Sequence, residues 1–405
     1  MDRSQGPLHV AVVGAGVGGL TAALALAARG HRVTVLERRT ALSEVGAGLQ
    51  LSPNASRVLT DLGLGPALAR AATEPERAVI RRLRDGRVVG TMALGPTMRA
   101  RFGAPYLVAR RADLQTILLD AVRGRPDIRL LVGRAVREAR EGPSGITLAV
   151  VRGESGVETL EADLVVAADG GRSALRAAVE RRPAATAQAG GGQGGDWTAW
   201  RALVPRSAAP APLATDETGL WLGRGRHVVH YPVSGGREIN LVAVVKGRAA
   251  AEWDAPGEAA HLRTAFADAA SPLAELLAVP ERWLVRPLAA RATARPMARG
   301  RLALLGDAAH PILPYLAQGA ALAIEDAASF AGCLDRAPTV PEALSAYASA
   351  RAPRARRVQR AAAHIGRVYH AGPVIAALRD VVMRRLGPEG MLERYAWLYG
   401  WTPDA

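Results

Sequence analysis

The chain has 405 residues, of which 49% are hydrophobic and 22% are charged, a length and composition typical of two or three packed units rather than a small module. Its single cysteine, Cys333, excludes an internal disulfide framework and any cysteine-based zinc site, so we expect a cytoplasmic protein without a bound metal. The net charge is +15, but nearly all basic residues are arginines scattered among alanines, so no nucleic-acid partner is predicted.

The first predicted unit is a strand, a glycine-rich turn, a helix and a second strand. Leu8 to Val13 and His31 to Glu37 have strand patterns, and Leu20 to Arg29 has a helical one. The apolar run from Val10 to Ala28 approaches the length of a membrane span, but glycines interrupt it and no basic segment precedes it. We therefore predict a βαβ unit, with neither a membrane segment nor a signal peptide.

The turn of this unit matches a dinucleotide-binding pattern. Gly14, Gly16 and Gly19 fit G-x-G-x-x-G, in which the backbone approaches a pyrophosphate and the helix amino end favours its charge. Glu37 ends the second strand, where a carboxylate accepts hydrogen bonds from a ribose and repels a 2′-phosphate. The pattern predicts FAD or NAD at this site and disfavours NADP there.

The middle of the chain predicts a separate antiparallel sheet. Arg81 to Gly90 has the pattern of a hairpin, and three more segments are rich in strand-forming residues, namely Trp197 to Val204, Leu220 to Tyr231 and Glu238 to Lys246. Two apolar segments, Leu160 to Asp169 and Arg301 to Leu305, predict buried parallel strands with functional loops at their carboxyl ends. From Pro341 onward, Arg/Ala-rich patterns predict packing and surface helices without a catalytic signature.

Several segments together carry a resemblance to a known family. Beside the glycine turn they are Val166 to Ser173 with its Asp-Gly pair, Gly306-Asp307-Ala308-Ala309-His310, Pro314, Gln318-Gly319-Ala320 and Glu325-Asp326-Ala327. In order and spacing they resemble FAD-dependent aromatic hydroxylases, the single-component flavoprotein monooxygenases of the para-hydroxybenzoate hydroxylase type. The resemblance spans nearly the whole chain and is closest to the branch acting on salicylate, 3-hydroxybenzoate and 6-hydroxynicotinate.

The resemblance implies an α/β fold with a Rossmann-like FAD-binding domain, an inserted antiparallel β-sheet substrate domain and C-terminal helices. We predict a discontinuous FAD-binding domain of residues 1–75, 105–180 and 290–340. Residues 76–104 and 181–289 are the predicted substrate domain, and 341–405 the C-terminal helical region. A monomer or a homodimer is expected.

The resemblance also assigns roles at the cofactor. Asp307 is expected to accept hydrogen bonds from ribityl hydroxyls, and Arg111, or less favourably Arg110, to contact the cofactor. Gly319 and Ala320 would begin a helix whose amino end faces the N1–C2=O edge of the flavin. The expected FAD-binding residues are Gly14, Gly16, Gly19, Glu37, Arg38, Gly48, Arg111, Val136, Asp169, Gly170, Asp307, Gln318, Gly319 and Ala320.

The substrate side is expected on a strand around residue 230. Alternation puts His227 and Tyr231 on one face and His230 on the other. The resemblance implies that His227 takes or relays a phenolic proton, that Tyr231 orients the substrate and that Gln50 also reaches the pocket. A structural role for His227 is the alternative. Pro314 is expected on the reacting side of the flavin, where some relatives carry glutamine.

The implied activity is hydroxylation of a small phenolic or aminophenolic aromatic carboxylate. FAD is the cofactor, NADH or NADPH the transient electron donor and O2 the co-substrate, with a flavin C4a-hydroperoxide as the oxygen donor. Two other hypotheses stay open. One is a flavin-dependent epoxidase or hydroxylase of a larger natural product, and the other is a flavin- or NAD-binding sensor without turnover.

Overall fold

The computed structural model describes residues 6–42, 48–153, 156–181, 194–247, 255–289 and 292–403. The strands, in chain order, are β1 His9–Val13, β2 Arg32–Glu37, β3 Gly48–Leu51, β4 Arg77–Arg82, β5 Val88–Ala93, β6 Leu107–Arg110, β7 Ile128–Val132, β8 Arg134–Glu141, β9 Ile146–Arg152, β10 Val157–Ala162, β11 Leu164–Ala167, β12 Gly194–Pro205, β13 Glu217–Gly223, β14 Arg226–Val233, β15 Glu238–Lys246, β16 Ala255–Gly257, β17 Trp283–Ala289, β18 Ala298–Arg299 and β19 Leu302–Leu304. The helices are α1 Val17–Ala27, α2 Pro53–Asp61, α3 Gly65–Ala71, α4 Gly95–Phe102, α5 Arg111–Arg123, α6 Arg176–Glu180, α7 Ala259–Ala265, α8 Ser271–Ala278, α9 Gly319–Arg336, α10 Val340–Tyr369, α11 Pro373–Glu393 and α12 Ala396–Tyr399. Short 3-10 turns lie at Arg206–Ala208, Ala211–Leu213, Gly306–Ala308 and Pro314–Leu316.

The first sheet contains the predicted βαβ unit. Its strand order is β18-β19-β11-β1-β2-β7, and all strands are parallel except β18, which is antiparallel at the edge. β1 and β11 are rich in valine, alanine and leucine and are buried, as strands covered on both faces are. α1 packs against α9 beside this sheet. The carboxyl ends of β1, β11 and β19 consequently lie side by side at one edge.

The single strand predicted from Leu160 to Asp169 was wrong, because the structure divides it in two. β10 ends at Ala162 and belongs to a three-stranded antiparallel sheet with β9 and β8, whereas β11 begins at Leu164 in the parallel sheet. Asp163 fixes the break, since its carboxylate accepts a hydrogen bond from His9 N–H at 2.7 Å and its own N–H donates to His9 O at 2.9 Å. The two halves therefore pair with different strands, although apolar, strand-forming residues occur on both sides of Asp163.

The middle of the chain forms a mainly antiparallel sheet of order β16-β17-β12-β15-β14-β13-β4-β5. The predicted hairpin is β4 and β5, and β4 also runs parallel to β13. β14 and β15 pair with His227 opposite Val244 and Tyr231 opposite Asn240. Apolar side chains of α7 and α8 cover one face of this sheet, and side chains of α9, α10 and α11 pack toward the other.

The C-terminal helices complete the molecule. α10 packs against α9, and α11 packs against β5 and contains a break at Gly387, whose φ is +62°. Within the described ranges, no helix is long and apolar enough to cross a membrane. The predicted α/β fold with an antiparallel sheet and C-terminal helices is confirmed, and the domain boundaries stay a prediction.

Candidate active site

Three loops meet at the carboxyl ends of the parallel strands β1, β11 and β19. Ala168 N–H donates to Val13 O at 2.8 Å, and Leu305 N–H donates to Ala167 O at 2.9 Å, so the chain leaves the sheet at adjacent positions. Glycine or aspartate residues follow within three residues of the end of each strand. The predicted cofactor residues that lie along this crevice are Gly14, Gly16, Gly19, Asp169, Gly170 and Asp307.

The glycine turn has a crowded side and an open side. A Cβ on Gly14 would overlap Ala168 O, and a Cβ on Gly19 would overlap Gly14 O. A Cβ on Gly16 would meet no atom within 4 Å, and this residue is the N-cap of α1. The open side therefore lies where backbone N–H groups and the helix dipole favour an anion, which fits a pyrophosphate.

The Glu37 carboxylate links this turn to the end of β2 by a hydrogen bond. Its Oε2 accepts a hydrogen bond from Ala15 N–H at 2.9 Å, and its Oε1 accepts one from Arg39 N–H at 2.8 Å. Arg38 is exposed. Each carboxylate oxygen has a further lone pair, so Glu37 can hold the turn and still accept from a ribose hydroxyl.

Two other predicted cofactor residues lie on elements next to the turn. Arg111 begins α5, and one turn later Gln115 Nε2 donates to Ala15 O at 3.4 Å, so the start of α5 adjoins the glycine turn. Val136 is buried in β8, which packs against β2. Arg111 is therefore close to the glycine turn, and Val136 belongs to the strand that packs beside β2.

The two acidic residues of the crevice differ in their surroundings. Asp169 Oδ2 accepts a hydrogen bond from Ala174 N–H at 2.8 Å, while its Oδ1 is buried without a hydrogen-bond partner among the described residues. Burial raises the pKa of Asp169, although hydrogen bonds from Ser173, Ala174 and Leu175 oppose the shift. Asp307 follows β19 and is exposed. A buried acceptor without a partner after β11 and an exposed carboxylate after the adjacent strand β19 fit a ligand rich in hydroxyl donors.

A buried charge network lies behind Asp307. Asp326 of α9 accepts a hydrogen bond from Gly306 N–H at 2.9 Å and lies 2.6 Å from His310 Nε2 and 2.7 Å from Arg351 Nε. Burial alone would raise the pKa of Asp326, but His310 and Arg351 outweigh it and hold this pKa well below its usual range. Burial alone would lower the pKa of His310, but Asp326 reverses the effect and raises it. Each member of the buried pair therefore stabilises the charged form of the other.

Glu325 extends this network toward α2. Its carboxylate lies 2.7 Å from Arg351 Nη2 and 2.7 Å from Arg354 Nη2, and it accepts a hydrogen bond from Asn54 Nδ2 at 2.5 Å. The buried carboxylates of Glu325 and Asp326 are thus paired with Arg351, and Glu325 also with Arg354. These pairs offset the cost of burying each charge alone.

Gln318 joins the network to the start of α9. Its Oε1 accepts from Asn54 Nδ2 at 3.1 Å, and its Nε2 donates to Ser52 Oγ at 2.8 Å. The side chain of this predicted cofactor residue is therefore engaged within the protein. It fixes Gly319 and Ala320 in the first turn of α9, where helix N–H groups lack intrahelical partners.

On the predicted substrate side, β14 places its histidines on opposite faces. His227 is 3% exposed, and its ring centroid lies 5.7 Å from that of Tyr315 and 5.5 Å from that of Tyr369. His230 is turned toward Gly219 and Trp221 on the other face. Burial, with a smaller contribution from a neighbouring histidine, lowers the pKa of His227 well below its ordinary value.

Tyr231 lies against the strand that carries the predicted flavin-facing glycine. A Cβ on Gly48 would come within 2.6 Å of Tyr231 Cε2 and 2.7 Å of Asn240 Cγ, and Gly48 N–H donates to Asn240 Oδ1 at 2.6 Å. Gln50, two residues further along β3, accepts a hydrogen bond from Tyr106 O–H at 2.5 Å. Gly48 therefore allows the close approach of β3 to β14, which brings together three predicted residues.

The loop after the Gly306–Ala308 turn reaches the face of β14 that carries His227. Pro314 begins a short turn, and the next residue, Tyr315, packs against His227 and against Gly366 of α10. Burial raises the pKa of Tyr315 to about 12, so its phenol is neutral at physiological pH. The loop that carries Pro314 thus connects the cofactor crevice with His227.

His370 is a residue that the sequence did not single out. It follows α10, and its Nε2 lies 2.8 Å from His227 Nδ1, while its ring stacks on Trp197 with centroids 3.9 Å apart. Burial lowers the pKa of His370 to about 4. The end of the C-terminal helical region therefore contacts the predicted substrate strand, and no local pattern marks a residue whose partner is 143 positions away.

Arg201 is a second residue that the sequence reasoning missed. Arg201 on β12 lies opposite Val242 of β15, and Val242 lies opposite Val229 of β14. Val229 is on the same face of β14 as His227 and Tyr231, so Arg201 is in register with that face. Burial raises the pKa of Tyr231, and the charge of Arg201 opposes this shift. An arginine inside a predicted strand, in phase with the substrate face, is the signal that could have identified it.

Most of the chain matches one known protein family. Residues 7–362 match the FAD binding domain family. The chain belongs to this family. It is an FAD-dependent monooxygenase of the aromatic hydroxylase type, as predicted, and NAD(P)H and O2 are typical co-substrates of such monooxygenases.

Similar proteins cover the chain almost completely. The 3-amino-4-hydroxybenzoate 2-monooxygenase of Streptomyces cremeus is 38% identical, over 98% of this chain and 97% of the relative. The 3-hydroxybenzoate 6-hydroxylase of Polaromonas naphthalenivorans is 31% identical, over 99% of this chain and 98% of the relative. Among solved structures, HpxO of Klebsiella pneumoniae with FAD and uric acid has a TM-score of 0.84 at 26% identity, with 97% of this chain and 96% of HpxO covered. A salicylate hydroxylase substrate complex has a TM-score of 0.80 at 26% identity, with coverages of 98% and 96%.

Proposed function

We propose that this monooxygenase hydroxylates the ring of a small phenolic or aminophenolic aromatic carboxylate. The observation that carries the proposal is that the buried, uncharged His227 and Tyr231 lie on the same face of β14. The half-buried Arg201 lies on the same face of the sheet. The names of the relatives, which act on hydroxybenzoate and aminohydroxybenzoate, support this substrate class.

The crevice residues fit FAD and divide its binding among them. Gly16 and the amino end of α1 hold the pyrophosphate, Glu37 accepts from the adenosine ribose, and Asp307 accepts from the ribityl hydroxyls. The orphaned Asp169 Oδ1 accepts from the cofactor, and Arg111 contacts it from the start of α5. Transfer of two electrons from NAD(P)H to O2, with insertion of one oxygen atom into the ring, is the chemistry that FAD supplies when bound.

His227 takes the phenolic proton of the substrate. Its imidazole is neutral at physiological pH because burial lowers its pKa, so it has a nitrogen free to accept. A phenolate directs more electron density into the ring than a phenol does, and oxygen transfer to the ring carbon is then easier. Tyr231 O–H, also kept neutral by burial, orients the substrate by hydrogen bonding.

Arg201 pairs with the carboxylate of the substrate. A guanidinium binds a carboxylate through two parallel hydrogen bonds, which fixes the position of the ring as well as adding affinity. Pro314 and Tyr315 close the opposite side and keep water from the reacting carbon. The cofactor and the substrate are then held by separate layers of the fold.

The test is NADH and NADPH oxidation by the FAD-loaded protein across hydroxybenzoates, aminohydroxybenzoates and hydroxypyridine carboxylates. Hydrogen peroxide and hydroxylated product are measured together. Strong stimulation with one product per NAD(P)H and little peroxide supports the proposal. Stimulation only by larger phenols or alkenes would favour a natural-product hydroxylase or epoxidase. No stimulation by any compound, with flavin that does not reduce, would favour a sensor without turnover.

A further inference from the structure

His227 and His370 form a hydrogen-bonded pair of imidazoles between the substrate face and the protein surface. Their facing nitrogens, His227 Nδ1 and His370 Nε2, are 2.8 Å apart. His227 is 3% exposed, whereas His370 is only partly buried. The second imidazole therefore lies on the solvent side of the first.

The position of His370 is fixed by contacts of its backbone and its ring. Its carbonyl accepts a hydrogen bond from Gly225 N–H at 3.4 Å, and its ring stacks on Trp197 with an interplanar angle of 12°. The end of α10 is capped by Arg379, whose Nη1 donates to Val368 O at 3.1 Å and Tyr369 O at 3.4 Å. The segment is thus held in place at the turn that carries the imidazole.

The groups around the pair supply no counter-charge. The rings of Tyr315 and Tyr369 pack on His227, and Tyr315 and Trp197 pack on His370. Among the described residues, neither imidazole makes an ion pair with a carboxylate. A proton accepted by His227 would leave a positive charge in a buried apolar setting, which is strongly disfavoured. The proton needs a route to water.

We propose that His370 is the second member of a proton relay that carries the phenolic proton of the substrate from His227 to solvent. The phenol O–H bond breaks as an N–H bond forms at His227 Nε2. The His227 Nδ1–H bond breaks as a bond forms at His370 Nε2, and His370 Nδ1 releases its proton to water. One proton leaves the substrate, one reaches solvent, no electrons are transferred and the pair ends uncharged. The relay rests on the proposed function, since it needs a substrate with a phenolic proton.

Two variants separate relay from structural support. In His370→Gln, the amide oxygen can accept the hydrogen bond from His227 Nδ1 and keep that ring oriented, but an amide does not pass a proton on. In His370→Ala, the partly exposed position leaves room for added imidazole. His261→Gln is the matched control, because His261 also stacks on a tryptophan of β12, Trp200, with centroids 5.4 Å apart, but it is exposed and lies outside the site.

The experiment uses the FAD-loaded protein and 3-hydroxybenzoate and 3-amino-4-hydroxybenzoate as probes. Binding is measured by the change in flavin absorbance, proton release to a pH indicator by stopped flow in weak buffer, and kcat by NADH oxidation coupled to product. We expect His370→Gln to bind the probe as the parent does but to release the proton and turn over at least about tenfold more slowly. We expect imidazole to restore His370→Ala, and His261→Gln to match the parent.

The outcomes separate the relay from the function on which it rests. Equal proton release and equal kcat in His370→Gln and the parent would overturn the relay, as would slower turnover that imidazole does not restore in His370→Ala. Weaker binding with unchanged release per bound probe would make His370 a structural residue and also overturn it. If the parent binds neither probe and neither stimulates NADH oxidation, the proposed function fails first, and the relay for these substrates fails with it.

Discussion

Two aspartates close to the end of β19 have opposite environments. Asp326 is 0% exposed and is saturated by Gly306 N–H, His310 and Arg351. Asp307 is exposed, and the described residues give its carboxylate no hydrogen bond. The first therefore holds the loop, and the second is available to a ligand with hydroxyl groups. A carboxylate-to-hydroxyl hydrogen bond contributes more than a neutral one.

At the residue scale we predict that Asp307→Ala weakens FAD binding without unfolding the protein. Loss of a hydrogen bond to a charged acceptor lowers affinity by about 10- to 100-fold. The measurement is titration of the FAD-free protein with FAD, followed by flavin fluorescence. Asp335→Ala, which removes a carboxylate paired with Arg29 at the surface, is the control and should bind FAD as the parent does. Equal affinities for both variants would remove Asp307 from the cofactor site.

Sequence alone predicts cofactor residues best where their positions follow from local geometry. Gly14, Gly16 and Asp307 lie within three residues of the end of a strand, and the turn chemistry at a strand end is determined by neighbours in the chain. His370 and Arg201 were missed because their positions relative to His227 depend on strand pairing and on the docking of α10. Such contacts join distant parts of the chain and leave no local pattern.

At the element scale, the turn between β1 and α1 is packed on one side only. Gly16 has extended backbone angles, φ −76° and ψ 179°, which any residue adopts. Gly19 faces the carbonyl of Gly14, and no side chain fits between them. We therefore expect the two glycines to be needed for different reasons, Gly16 for the approach of a ligand and Gly19 for the packing of the helix against the strand.

We predict that Gly16→Ala and Gly19→Ala have separable effects. Gly16→Ala should leave the free energy of unfolding of the FAD-free protein nearly unchanged and weaken FAD binding, because its methyl group occupies the pyrophosphate side. Gly19→Ala should lower the free energy of unfolding by about 1–3 kcal/mol through overpacking. Urea denaturation and FAD titration measure the two quantities. Similar destabilisation by both substitutions would contradict the assignment of the open side.

Element boundaries were harder to predict than element types. The break at Asp163 assigns β10 and β11 to different sheets although valine and leucine continue on both sides of it. The cause is a pair of hydrogen bonds between Asp163 and His9, 154 residues away in sequence. Hydrophobic pattern predicts that a strand exists, whereas the choice of sheet depends on partners that the pattern does not specify.

At the scale of the whole molecule, helices α9 and α10 join the cofactor crevice to the C-terminal segment. Arg354 of α10 contacts Glu325 of α9 and donates to Trp397 O at 3.1 Å and Leu398 O at 2.9 Å. Charged groups are therefore buried as satisfied pairs in this part of the molecule. The eight-stranded sheet instead buries uncharged histidines, so the two parts respond differently to pH.

The buried histidines make the folded state sensitive to mild acid. Burial, with a smaller effect of Arg81, lowers the pKa of His230 to about 3, and His230 Nε2 has no hydrogen-bond partner among the described residues. In the unfolded chain an imidazole has a pKa of about 6.5. Between these values the unfolded state binds a proton that the folded state does not, so the free energy of unfolding falls as the pH is lowered.

We predict that His230→Leu reduces this acid sensitivity. One proton of difference corresponds to about 1.4 kcal/mol per pH unit, so the slope of unfolding free energy against pH should decrease by up to about that amount between pH 4 and 6. Urea denaturation at saturating FAD, followed by tryptophan fluorescence at several pH values, measures the slope. Above about pH 8 the imidazole is neutral in both states. There the slopes of variant and parent should coincide, which makes the same titration its own control. Equal slopes below pH 6 would mean that His230 takes up its proton in the folded protein as readily as in the unfolded chain, and that the sheet opens to water on that face.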